Sequence, residues 1–120
     1  HADALQAEGT AMGSIIRNST LDALWAPDSV RAGANGSGGA NSAVILKTDI
    51  GPQSDIEFNH VYLNGGNYVV FLRDGGNGPP SNIRFIQCLL GPDQRYGTIS
   101  SDATGTVFDV YDAATCAPID

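Results

Sequence analysis

Arg73-Asp74 and the run Asp93-Gln94-Arg95-Tyr96 are the places in this 120-residue chain where residue types and spacing fit the chemistry of holding a ligand. An arginine guanidinium can grip a uronate carboxylate through two parallel hydrogen bonds, and a tyrosine ring can stack on the apolar face of a sugar. Trp25, the single tryptophan, is a further candidate sugar platform. Each has a structural alternative: an internal Arg-Asp pair can tie two loops together, and Trp25 can cap an edge of the fold. Asp49, Asp55, Asp74 and Asp93 are carboxylates that could hold calcium or act as general acid and base, work that in glycoside hydrolysis needs two carboxyls at a fixed separation. They lie close to Gly, Pro or Ser, where aspartate ordinarily bonds its own backbone, and the turn role is the favoured one.

Other chemistries are excluded or set aside. No nucleophilic triad, Cys/His metal spacing or phosphate loop is present. Gly75-Gly76-Asn77-Gly78 is glycine-rich, but Pro79 and Pro80 follow it and preclude the helix start on which phosphate binding depends. His1 and His60 would chelate copper only if His1 were a true N-terminus, and no metal or other cofactor is expected. The formal net charge is -7 with 6 lysines and arginines, too few to neutralise a row of phosphates, so nucleic acid is not an expected partner. No apolar run approaches the roughly 18 residues of a membrane span, so no membrane insertion is expected. Cys88 and Cys116 either close one disulfide, which would suit an extracellular setting, or stay a free pair of buried thiols.

The elements that must position these residues form a ragged repeat. Ser14–Leu21, Asp55–Leu63, Asn82–Leu90 and Thr106–Tyr111 each open with a small polar residue followed by Ile or Val. Between them lie Ala4–Gln6, Ala43–Lys47, Tyr68–Arg73 and Thr98–Ser100, short β-rich segments bounded by Gly, Asn, Asp and Pro. With Ile15, Ile56, Ile83 and Val107 as equivalents the steps are 41, 27 and 24 residues, and the long first step is explained by an inserted Gly-rich loop over 27–42. The alternation predicts four stacked coils with parallel strands and a continuous narrow core. Those equivalents are expected as one inward stack, with Phe58, Phe85 and Ile16 at neighbouring inward or turn positions and a register open by one residue. Asn18 and Asn59 are placed at the same corner as a polar ladder, with Gln87 near it. Helix is expected at most as one turn near Leu21–Trp25.

The segments "HADALQ", "SIIRNSTL", "VILKTDIGPQSDIEFNHVYLNGGNYVVFLRDGGNGPPSNIRF" and "GPDQRYG" resemble the C-terminal coils of right-handed parallel β-helix proteins of the pectate-lyase-like superfamily, of the kind found in secreted actinobacterial proteins and phage tail or surface proteins. The resemblance spans nearly the whole chain apart from the insertion, and it is most specific from Lys47 to Tyr96. It implies an all-β, right-handed parallel β-helix of about four coils, a single domain over 1–120 that forms the C-terminal part of a longer protein. It also implies a polysaccharide or cell-surface glycan as ligand and an extracellular or virion-surface location. The expected function is a noncatalytic structural and recognition module that presents Arg73, Asp74, Arg95 and Tyr96, with further coils or subunits, as in a homotrimer, covering the N-terminal edge. The rival expectation is a polysaccharide lyase or glycoside hydrolase whose other catalytic residues lie in upstream coils. The chain departs from the pattern at Ile86-Gln87-Cys88, where relatives continue an asparagine-rich turn.

Overall fold

The β-branched runs of the sequence become strands because each finds a parallel neighbour one passage of the chain away. A computed structural model describes residues 3–23 and 42–119, and every regular element among them is a strand. They are β1 (Asp3–Ala7), β2 (Ala11–Met12), β3 (Ile15–Arg17), β4 (Thr20–Ala23), β5 (Ser42–Lys47), β6 (Gln53–Asn59), β7 (Tyr62–Gly65), β8 (Tyr68–Arg73), β9 (Ser81–Leu90), β10 (Gly97–Ser101) and β11 (Val107–Asp112). One sheet runs β1-β5-β8-β10. In the other, β2 and β3 pair with β6, β6 with β9, β9 with β7 and β11, and β7 with β4. Every strand-to-strand pairing is parallel. The chain is thus an all-β fold in which each passage contributes one strand to the first sheet and then one or more to the second. No described helix is long and apolar enough to cross a membrane. The predicted insertion lies outside the described residues apart from Ser42, which opens β5.

Register turns the repeat into a core. Leu5, Val44, Val70 and Ile99 form one row across the first sheet. Leu21, Leu63 and Leu90 form a row in the second. Between them runs Ile16–Phe58–Phe85–Phe108. Phe58 and Phe85 stack with ring centroids 4.7 Å apart and planes 4° off parallel, and Phe85 and Phe108 follow at 5.5 Å and 17°. Large aromatic surfaces taken out of water in this way dominate the energy of so small a core.

Two expected equivalences are corrected by one residue. Ile56 and Ile83 are paired and buried as expected, but Ile15 pairs with Glu57 and Val107 with Arg84. Ile15 is 54% and Val107 45% exposed, because a one-residue slip in a strand moves a side chain to the opposite face. On these two strands the inward apolar residues are Ile16 and Phe108, which stand in the row of Phe58 and Phe85. The corner ladder shifts likewise: Asn18 stands opposite His60 and Gln87, while Asn59 belongs to the strand beside Arg17 and Ile86. Thr20–Ala23, beside the place where at most one helical turn is expected, pairs with Tyr62–Gly65 as strand; Leu24 and Trp25 lie outside the described residues.

The corners themselves show why certain residue types recur. Asn18, His60 and Gln87 have φ of 51, 55 and 48°, and Gly13, Asp55, Asn82 and Gly105 have φ of 72, 57, 51 and 61°. These are left-handed positions, which Gly, Asn and Asp occupy at least cost, and one row of them brackets each side of the Phe stack. Asp55 Oδ1 accepts from Asn82 Nδ2 at 2.5 Å, so neighbouring corners are also tied by side chains. A third corner, between the sheets, needs glycine for space instead. A Cβ on Gly75 would stand 2.6 Å from the backbone nitrogen of Asp49. Gly75→Ala is therefore expected to cost about 1–3 kcal/mol in urea unfolding, as overpacking against backbone does. Gly9→Ala, with nothing within 4 Å of the added atom, is expected to change stability by less than about 0.5 kcal/mol.

At the C-terminal side the chain folds back on β11: Tyr111 bridges Pro118 antiparallel, and Ile119 N donates to Val110 O at 3.0 Å. This return blunts an edge that would otherwise offer a row of unpaired backbone groups. Cys116 lies in the return, exposed, and Cys88 lies in the core; both are free, so of the two alternatives the disulfide is not formed, and only one of the two free thiols is buried. Burial pushes the Cys88 thiol up, against smaller opposing effects from backbone hydrogen bonds. Cys116 is expected to react at once with an aromatic disulfide reagent in native buffer and Cys88 only as the chain unfolds. Prompt titration of two thiols would contradict this placement.

Candidate functional site

On the outer face of the first sheet, strand alternation places Gln6, Ile45 and Phe71 in one row and points them away from the core. Their neighbours Val44, Leu46, Val70 and Leu72 point into it. The same alternation brings Lys47 and Arg73 outward as a register pair. Tyr96 arrives from the segment before β10, held by Tyr96 N donating to Asn67 O at 2.8 Å and Arg95 N to Gly66 O at 3.0 Å. Together these elements enclose a groove of about 340 Å³ lined by Gln6, Ile45, Lys47, Tyr68, Phe71 and Tyr96, with Glu8, Asp49 and Asn67 also on its wall.

The groove carries a run of three rings. Phe71 and Tyr68 have centroids 6.4 Å apart with planes at 42°, and Tyr68 and Tyr96 follow at 5.9 Å and 43°. Tyr96 is 62% exposed, and the Arg95 guanidinium carbon lies 4.9 Å from its ring centroid. Such a cation over a ring face fixes the tyrosine without hiding its other face. At the opposite side Lys47 Nζ stands 3.3 Å from Asp49 Oδ1, and the Glu8 carboxylate accepts from Gln6 Nε2. Polar groups and aromatic faces thus meet in one concavity, the general form of a small-molecule or oligomer site.

Of the residues expected to form a site, the structure brings Arg95 and Tyr96 together and puts Tyr96 in the groove. Arg73 is spent elsewhere: its Nε and Nη2 donate to Ser100 Oγ at 3.1 and 2.7 Å. The fork that would grip a carboxylate therefore ties one passage of the chain to the next, a structural tie made to serine and not to Asp74. Asp74 makes a turn: its Oδ1 accepts from Gly76 N at 2.7 Å, while its own N donates to the Asp102 carboxylate. Trp25 and His1 lie outside the described residues. Among the described residues no group of three or more His, Cys, Asp or Glu is arranged to hold a metal.

Comparison of the chain with protein-family models, curated proteins and solved structures returns no match.

Tyr68 and Phe71 are the site residues that sequence reasoning passed over. The signal for Phe71 was present: if Arg73 faces outward from the strand Tyr68–Arg73, period two obliges Phe71 to do so as well, whereas the same count puts Tyr68 on the opposite face and gives no sign of its place in the groove. A second hollow, of about 430 Å³, follows the corner row of Asn18, His60 and Gln87 and is bordered by Tyr62. There burial, and then the nearby carboxylates of Asp22 and Asp93, push the Tyr62 phenol up, so it remains a neutral hydrogen-bonding group at physiological pH. The His60 ring is held by Asn59. This hollow lacks the aromatic run of the groove.

Proposed function

We propose that the chain is a right-handed parallel β-helix module of about four coils that recognises a glycan through the groove over β1, β5 and β8, without cleaving it. The observation that carries this reading is the run Phe71–Tyr68–Tyr96, three rings in one polar-walled groove on a rigid sheet. Sugar rings have apolar faces suited to stacking and hydroxyl edges suited to Gln6 and Lys47. The β-helix assignment is supported by in-register parallel pairing from passage to passage and by the two rows of left-handed corners. Leu5, Ala7, Ala11, Ile16 and Leu21, inward on the first passage, are only partly buried. Their exposure favours cover by further coils or by other subunits of a homotrimer. A terminal module of a secreted protein or of a virion tail or surface protein fits this combination of rigid stack and flank groove.

Binding of the full chain to immobilised cell-surface and polysaccharide glycans tests the proposal. Binding to at least one glycan is expected, with Tyr96→Ala weakening it about tenfold, roughly 1.4 kcal/mol. No unsaturated product or new reducing end should appear with polyuronates or neutral glycans. Turnover lost on Arg95→Ala would establish a lyase or glycosidase in place of a recognition module.

A further inference from the structure

We infer that the groove takes a single solvated chain of neutral sugars and rejects the flat face of a crystalline polysaccharide. This rests on the glycan reading above and adds to it the physical form and charge of the ligand.

Ring geometry decides the form. A planar ligand surface can lie against several aromatic side chains only if their faces are nearly coplanar. Here successive planes turn by 42° from Phe71 to Tyr68 and by 43° from Tyr68 to Tyr96. No plane can meet two neighbouring rings of this run face-on. A single glycan chain can, because rotation about each glycosidic linkage lets consecutive sugars present their apolar faces at different angles. Arg95 over Tyr96 fills one side of that ring, so a sugar has one face left to stack on and its orientation there is fixed. The rings also border a concavity of about 340 Å³, which a flexible chain can enter and a crystal face cannot.

Charge decides the class of sugar. Lys47 is the only cation on the groove wall among the described residues, and Asp49 stands 3.3 Å from it. Glu8 adds a second carboxylate on the same wall. An anionic chain would meet no uncompensated cation on that wall, and of the two nearby guanidiniums that of Arg73 is bonded to Ser100 while that of Arg95 lies over the Tyr96 ring. Hydroxyl groups, by contrast, can both donate to Glu8 and accept from Gln6.

The test uses the full chain in native gels containing soluble hydroxyethyl cellulose, galactomannan, mixed-linkage glucan, starch or polygalacturonate, beside depletion by microcrystalline cellulose and chitin powders. Retardation by at least one neutral soluble glycan is expected, with less than about a tenth of the protein lost to either powder. Tyr96→Ala, exposed enough to leave the fold intact by circular dichroism, should weaken retardation about tenfold. Substantial depletion by a powder, with or without retardation in gels, overturns the inference and leaves the glycan reading standing. Retardation by polygalacturonate alone overturns the neutral assignment, and retardation unchanged in Tyr96→Ala overturns the site. Binding to none of these ligands removes the glycan reading and the inference with it.

Discussion

Phe85→Ala is expected to lower the free energy of unfolding by about 3–5 kcal/mol, a large part of what a domain of this size possesses. Phe85 is fully buried between Phe58, 4.7 Å away and nearly parallel, and Phe108, 5.5 Å away. Its removal deletes one transferred side chain and also opens a space between two rings that belong to different passages of the chain. Parallel strands pinned on both sides by backbone ladders cannot close that space, so the cavity contribution should be near its full value. Phe58→Ala should cost a similar amount. Phe108→Ala should cost less, since Phe108 ends the stack and is only partly buried. Because Phe58 and Phe85 touch, the double variant should be less destabilised than the sum of the singles. Urea unfolding followed by far-ultraviolet circular dichroism measures all four. A loss below about 1 kcal/mol for Phe85→Ala would show that the stack is not the centre of the core.

The same row shows what the sequence could and could not convey. Ile56-Glu57-Phe58 and Ile83-Arg84-Phe85 alternate cleanly, so their inward residues are legible without a structure, and both pairs sit where alternation puts them. Ile15-Ile16 and Val107-Phe108 are apolar doublets, and a period of two cannot choose between adjacent apolar residues. Only pairing with the next strand decides, and it selects Ile16 and Phe108. The corner row was blurred for a related reason. Asn59 and His60 are neighbours that both tolerate left-handed backbone, and the strand register assigns φ 55° to His60. Thr20–Ala23 has little strand character of its own and becomes strand because β7 offers it a parallel ladder. At the groove, Tyr96 was legible as a ring in a turn. The partner of Arg73 was not, since Ser100 lies 27 residues away and nothing local distinguishes it from any other serine.

Gln53→Leu should have the second large effect, and a localised one. Gln53 is 2% exposed, and its Nε2 donates to Ala7 O at 2.7 Å and to Gly9 O and Lys47 O at 3.2 Å. These carbonyls belong to the last residue of β1, the corner that follows it and the last residue of β5. One buried amide therefore clamps the first passage of the chain onto the second. Leucine fills similar volume but donates nothing, leaving buried backbone acceptors without the amide, at a cost of order 2–4 kcal/mol when more than one is stranded. The Gln53 Oε1 atom has no partner, so its loss offsets part of that cost. The inward residues of the first passage, Leu5, Ala7, Ala11, Ile16 and Leu21, are only partly buried, so with the clamp gone its hold on the second passage rests largely on backbone pairing. Amide hydrogen exchange should then separate two responses. Protection across Asp3–Met12 is expected to fall towards that of a frayed edge, while Tyr68–Arg73 and Ser81–Leu90, buried between neighbouring strands, keep most of theirs. Uniform loss of protection would instead mean that the four passages unfold as one cooperative unit, with Gln53 acting on all of them equally.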